Sequence, residues 1–372
     1  MKIVKSWVAL ATLFAVSMAL AAAQKHPKNG RYSQFNLVSN IPGRAAVTDT
    51  NLVNAWGIVV IPTGRVWVAN NGTGLTTVYR GDGARQNAVV PIPGLGGVGS
   101  GLPTGMVGND TDGFVVSNAP ASFIWATEDG TIAAWNTNLA AAVIVVDNSA
   151  TGAVYKAIAR ATNEFIFATN FHDGTVEKYD TNFQFVSAFT DTNLPAGYAP
   201  FGIENINGKL FVTFALQDAS KTGDVEGPGH GYVDVFDTDG NLLQQFAAQG
   251  PLNSPWGIAL APEKFGAFSD AVLVGNFGDG HINAYDATTG QLLGTIVGAH
   301  NVPIAIDGLW GLSFGDLSDT KAQASTMAGM SGNKSRSRPH PILYFAAGPY
   351  GESEGLMGYL APGKKKPTTP GY

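Results

Sequence analysis

Three observations in the sequence predict an all-β chain folded as one six-bladed β-propeller of four-stranded antiparallel blades. First, an aromatic-Gly-aliphatic phrase recurs, as "NAWGIVVIP" at 54–62, "NSPWGIALAP" at 253–262 and "DGLWGLSFG" at 307–315. From Gly57 to Gly311 is 254 residues in five steps, about 51 per unit, close to the period of kelch and WD-type blades. Second, 47 of the 372 residues are Gly and only 13% are charged, which suits short strands joined by tight turns better than helices or disorder. Third, the last unit is one strand short while a spare strand precedes the first.

The first unit shows the pattern. Ile58 to Ile61, Val66 to Ala69, Thr76 to Tyr79 and Val89 to Ile92 read as four strands, with turns at Thr63-Gly64, Asn71 to Gly74 and Gly81 to Gly83. "GLPTGMVGNDTDGFVVSNA" opens a second unit, completed by "EDGTIAAWNTN" and "AAVIVVDN". "AVYKAIARATNEFIFATNFHDGTVEKYDTNFQFVSAF" is the third, and "YAPFGIENINGKLFVTFALQ" begins the fourth, which resumes at "GYVDVFDTDGNLLQQF". The fifth runs from "NSPWGIALAP" to "GTIVG", and the sixth joins "DGLWGLSFGDLSD" to "HPILYFAAGPYGESEGLMGYL".

That sixth unit holds three strands. "SQFNLVSN" at 33–40 is the expected fourth, closing the ring and hiding sheet edges. An open β-solenoid of the same strands leaves the missing and spare strands unexplained. The propeller is expected to cover residues 32–362, after a linker at 24–31 and before a polar tail at 363–372. A polar, Ser- and Gly-rich insertion at about 316–341 reads as a mobile loop, and 217–231 as a lengthened loop of blade four.

Residues 1–23 have the form of a signal peptide: Lys2 and Lys5, an apolar stretch from Trp7 to Leu20, then Ala21-Ala22-Ala23. That apolar stretch is short for a membrane span, so an exported protein, periplasmic or extracellular, is expected without stable membrane insertion. Removing the segment with its two lysines leaves 20 basic against 28 acidic side chains, a net charge of −8. An acidic surface disfavours nucleic acid as a partner. With no cysteine, stability rests on core burial alone.

If strands are lettered A to D from the channel outward, the D-to-A and B-to-C connections share one face. The reading places Asn70, Asn118, Asn170 and Asn276 at the ends of strand B on that face, with Asn54, Thr104, Ser254 and Asp307 just before strand A. Glu204 and Asp307 are the carboxylates expected beside them. Such a ring of oxygens suits Ca²⁺, with Asn170, Glu204, Asn276 and Asp307 as the ligand set, or a polyol. Asn at a strand end also caps its own turn, and both roles stay open. His172 in "NFHDG" and His281 in "FGDGHINAYD" lie on the same face but without a metal-motif spacing. Trp56, Trp256 and Trp310 precede the Gly of strand A and are expected to pack between blades, where Gly permits close approach. No P-loop, nucleophile elbow or cysteine-based zinc pattern occurs.

The phrases "NLVNAWGIVV", "ASFIWATEDGTIAAWN" and "SPWGIALAP" resemble a family of exported bacterial propellers of unknown function, some of which carry a PEP-CTERM sorting tail. The resemblance spans most of the mature chain and implies no catalytic residues. This chain departs from the tailed members by ending at "KKKPTTPGY". The blades are more distantly similar to NHL-type repeats and gluconolactonase-like propellers, whose metal set has no residue-by-residue match here. The expected function is a binding module that uses the polar channel mouth to hold a protein, glycan or small molecule. Exposed aromatics such as Phe171, Phe277 and Tyr350 grouped on that face are expected of such a module. The alternative is a Ca²⁺-dependent lactonase or esterase of the gluconolactonase type, with the ion polarising the ester carbonyl. A lyase or redox propeller ranks below both, because the channel positions lack convergent basic side chains.

Overall fold

The computed structural model describes residues 31–161, 164–315 and 341–363. The signal-peptide and linker expectations up to residue 30, nearly all of the predicted insertion, and the tail after residue 363 lie outside the described residues.

Strand β1 (Tyr32–Ser39) and the short β2 (Val47–Thr48) precede the blades. Blade one is β3 (Ala55–Val60), β4 (Arg65–Asn70), β5 (Leu75–Arg80) and β6 (Arg85–Pro91), hydrogen-bonded in that order. Blade two begins with β7 (Pro103–Gly108), then a detached hairpin of β8 (Val115–Val116) and β9 (Ala119–Pro120). It is completed by β10 (Phe123–Thr127), β11 (Thr131–Trp135) and β12 (Val143–Asp147). Blade three is β13 (Tyr155–Arg160), β14 (Ile166–Asn170), β15 (Thr175–Tyr179) and β16 (Phe185–Phe189). Blade four is β17 (Tyr198–Ile206), β18 (Lys209–Leu216), β19 (Tyr232–Phe236) and β20 (Leu242–Ala248). Blade five is β21 (Pro255–Leu260), β22 (Ala271–Asn276), β23 (Ile282–Asp286) and β24 (Leu292–Thr295). Blade six is β25 (Leu309–Gly315), β26 (Ile342–Ala347) and β27 (Leu356–Pro362), with β1 as its outer strand.

The ring closes as the strand count required. β1 runs antiparallel to β27 from Tyr32↔Pro362 to Ser39↔Leu356, and β2 adds a short parallel pairing outside it. The Tyr32 hydroxyl fastens the closure from its other side, donating to Phe265 O at 2.7 Å and accepting from Phe268 N at 3.2 Å. Inner strands lie between neighbouring blades and are buried on both faces, so β10 and β14 read as continuous buried runs. Outer strands meet solvent on one side, and β16 and β20 mix exposed with half-buried positions.

The recurring phrase acts at the axis. A Cβ at Gly257 would sit 2.4 Å from Trp310 O in the next blade, and one at Gly311 would sit 2.4 Å from Trp56 O. The missing side chain therefore lets adjacent A strands pack backbone to backbone, as the repeat predicts. Among the described residues, no helix is long and apolar enough to cross a membrane.

Candidate functional site

The mouth formed by the D-to-A and B-to-C connections, here the upper mouth, is built by strand register. Ala55, Pro103, Tyr155, Pro200, Pro255 and Leu309 each face the last residues of strand B in their blade. The residue after each of these forms one ring around the axis: Trp56, Thr104, Lys156, Phe201, Trp256 and Trp310. Four members are aromatic. Trp56 stacks on Trp310 with ring centroids 3.5 Å apart, Phe277 stacks on Trp310 at 4.0 Å, and Trp256 meets both tryptophans edge-on. Blade three places a lysine where three other blades place tryptophan.

Lys156 is buried and its ammonium lies over the rings of Trp56 and Phe171, at 5.4 and 5.8 Å from their centroids. A buried ammonium needs a counter-charge, and blade two supplies it: Lys156 Nζ donates to Glu128 Oε1. The other Glu128 oxygen accepts from Asn71 Nδ2 at 2.8 Å, and Asn54 Nδ2 reaches Asn71 Oδ1 at 3.3 Å and Glu352 Oε2 at 2.7 Å. The Trp310 indole N–H donates to Asn54 Oδ1 at 3.3 Å. Asn54 holds this bridging position in a left-handed conformation (φ 47°), which asparagine tolerates.

The network is acidic. Burial pushes the Glu352 carboxyl above its ordinary value; the Asn54 hydrogen bond opposes this, and the charge of Glu128 adds to it. Asp224, in the long loop of blade four, is also raised by burial, against the Ser254 hydroxyl and the charge of Lys156. Glu226 is raised by desolvation within the mouth and then by Asp224, Asp307 and Asp279. Glu128, Glu352, Asp224, Glu226, Asp279 and Asp307 thus form a connected series of interacting carboxylates, with the Lys156 ammonium at one end and the Arg44 guanidinium beside Asp307 at the other.

The residues predicted from the sequence divide into two groups. Asn70, Asn170 and Asn276 do end strand B at this mouth, and their Nδ2 groups are spent on local structure. Asn70 Nδ2 donates to Leu75 O at 3.0 Å and Thr77 Oγ1 at 3.0 Å, while Asn170 Nδ2 donates to Asp173 and Glu177. Asn276 Nδ2 donates to Pro251 O at 2.7 Å and Asp279 Oδ1 at 3.1 Å. The Nδ2 groups cap their turns, while the Oδ1 atoms of Asn70 and Asn276 are buried with no hydrogen-bond partner among the described residues. His172 lies 2.9 Å from Asp173, and His281 lies 3.4 Å from Asp279, at the rim. Asp307 is exposed and accepts from Tyr350 N at 2.9 Å.

Asn118 and Glu204 lie elsewhere. Asn118 and Ser117, both with positive φ, form the two-residue turn of the β8–β9 hairpin, inside the A-to-B connection on the opposite face. The true strand B of blade two is β10, which ends at Thr127, so the residue next in line is Glu128. Glu204 pairs with Phe211 near the Asn207-Gly208 turn of the β17–β18 hairpin, which places it at the lower mouth. The four expected calcium ligands therefore do not converge. Among the described residues, no three His, Asp or Glu side chains are placed to hold one ion. Phe171, expected to be exposed, is fully buried, whereas Tyr350 is exposed with the Arg44 guanidinium 4.2 Å from its ring centroid.

Sequence reasoning missed Glu128, Lys156, Asp224 and Glu352. One signal was present, since "AVYKAIAR" aligned on "NAWGIVV" puts Lys156 directly on Trp56.

No protein-family profile matches the chain. Two uncharacterised proteins of Acanthamoeba polyphaga mimivirus, R648 and L690, are each 32% identical to it over 292 residues. The match covers 74% of this chain and 72% and 77% of theirs. These relatives are viral and uncharacterised, so they do not support an exported bacterial group. Among solved structures, a streptogramin B lyase superposes with a TM-score of 0.52 at 12% identity, covering 91% of this chain and 100% of that one. A catalytically inactive virginiamycin B lyase from Staphylococcus aureus with quinupristin gives 0.51 at 11%, covering 89% and 99%. At such identities the likeness is one of fold alone. The chain belongs to the protein family that includes R648 and L690 of the mimivirus.

Proposed function

We propose that the chain is a binding propeller whose upper mouth takes a cationic partner, a protein segment presenting Lys or Arg side chains. The observation that carries this reading is the charge balance of the mouth: six interacting carboxylates face two cations, Lys156 and Arg44, which are already paired with Glu128 and Glu354. Burial raises the carboxyls of Asp224, Glu226 and Glu352, like charges add to this at Glu226 and Glu352, and an incoming cation favours their ionised forms. A glycan is less well served, because Trp56 and Trp310 are each only 1% exposed and offer no stacking platform. A polyanion such as nucleic acid is repelled.

The experiment is calorimetric titration of the protein with a decalysine and a decaglutamate peptide at low and moderate salt. Decalysine should bind with an affinity that falls as salt rises, and decaglutamate should not bind. The Asp224→Asn, Glu226→Gln double variant should weaken decalysine by about tenfold, since about 1.4 kcal/mol is a factor of ten. Equal behaviour of the two peptides, or no binding of either, would sink the reading. A calcium-dependent hydrolase would draw on the same carboxylates, and CaCl₂ raising the unfolding midpoint where decalysine fails to bind would favour it. Export belongs to this proposal as well; N-terminal sequencing of the protein from its host should then begin at Gln24.

A further inference from the structure

The channel has a second mouth on the A-to-B face, and it widens there into a cavity of about 560 Å³. That volume suits a small organic ligand. The wall repeats with the blades: Ile58, Met106, Ile258 and Leu312 each follow the axial glycine of their own strand A and turn an aliphatic side chain to the cavity. Two charged side chains interrupt this lining. Arg160 is already engaged, pairing with Asp110 and donating from Nε to Gly108 O at 3.1 Å. Glu204 has no ion pair and no side-chain hydrogen-bond partner among the described residues.

The Glu204 side chain stands at the cavity's open side, exposed to solvent, with the A strands of neighbouring blades around it. Partial desolvation by those strands raises its carboxyl, offset in part by the backbone N–H of Asn205. An exposed carboxylate beside apolar side chains, with no counter-charge among the described residues, offers a bound cation both a charge pair and an apolar wall.

We propose that the lower mouth binds a small organic amine, its ammonium on Glu204 and its apolar tail against the ring of Ile58, Met106, Ile258 and Leu312. The site lies at the far end of the channel from the acidic mouth and does not depend on the function proposed for it. An alcohol with the same tail gains the burial and forgoes the charge pair. A fatty acid brings a second carboxylate against Glu204 and is disfavoured.

The test is calorimetric titration of the wild-type protein with n-hexylamine, n-hexanol and hexanoate at about pH 8, where the amine is cationic. Hexylammonium should bind at least about tenfold more tightly than hexanol, with hexanoate weakest. Glu204→Gln, a neutral isostere, should abolish the preference for the amine and leave hexanol binding unchanged. Equal binding of amine and alcohol to the wild type would overturn the proposal, as would a Glu204→Gln variant that keeps the preference. If Glu204→Gln does not fold, the wild-type comparison decides alone. The Asp224→Asn, Glu226→Gln variant separates the two mouths. Hexylammonium binding that survives it belongs to the lower mouth; binding lost with it belongs to the acidic mouth and overturns this proposal alone.

Discussion

Asp234 in β19 is fully buried, and neither of its oxygens meets a hydrogen-bond donor among the described residues. What faces it is a second carboxyl, Asp191, whose Oδ1 is occupied by the backbone N–H and the side-chain amide of Asn193, each at 2.8 Å. Two carboxyls that face each other inside a protein do not both ionise readily, so the pair keeps a proton. Burial first, and then the charge of Asp191, push Asp234 from 3.8 up to about 8. The folded protein therefore keeps a proton that the unfolded chain releases at ordinary carboxylate pH. Stability is then greatest below the unfolded value and falls as pH rises toward the folded one. Each pH unit in that window costs up to about 1.4 kcal/mol, so the step from about pH 5 to about pH 7 removes about 2–3 kcal/mol. Asp234→Asn keeps the shape and has no proton to lose. Urea unfolding of both proteins across this range should find the advantage of the variant growing by about 2–3 kcal/mol from the acid to the neutral end. Stability curves that run parallel over the whole range would refute the retained proton.

Two further predictions concern the axis and the upper mouth. Gly257→Ala forces a Cβ to within 2.4 Å of Trp310 O and should cost about 1–3 kcal/mol by urea unfolding; a loss near zero would mean that the blades are not in close contact there. Lys156→Met leaves Glu128 and Glu352 without their ammonium and should cost about 1–3 kcal/mol, discounted because the Glu128 side chain is 23% exposed. The same variant should bind decalysine more tightly, and a fall in both stability and binding would contradict the charge reading of the mouth.

Blade number, ring closure and axial packing were legible because each is written in local pattern. Apolar runs of strand length, Gly-containing turns and a repeated Trp-Gly pair specify their structures through neighbours in sequence. The spare strand at 33–40 could be assigned to the last blade by counting alone. Blade two shows where this stops. "FVVSNA" and "FIWAT" are both good strands, and only pairing with β7 makes the second the true strand B. That choice moved Asn118 to the opposite face and brought Glu128 to the mouth. Glu204 was misplaced for a related reason. β17 is nine residues long, so its later half passes the axis and reaches the lower mouth.

By itself the sequence determined the class of fold, the number of blades and the close approach at Gly57, Gly257 and Gly311, since backbone sterics and alternation are read over a few residues. The tertiary structure alone decided which charges meet. Glu128, Lys156, Asp224 and Glu352 come from four different blades, and none carries a motif. Their interaction depends on distance through space, and closing the ring sets that distance. The same closure brings apolar side chains from other blades beside Glu204 at the lower mouth, where the linear sequence shows only a strand.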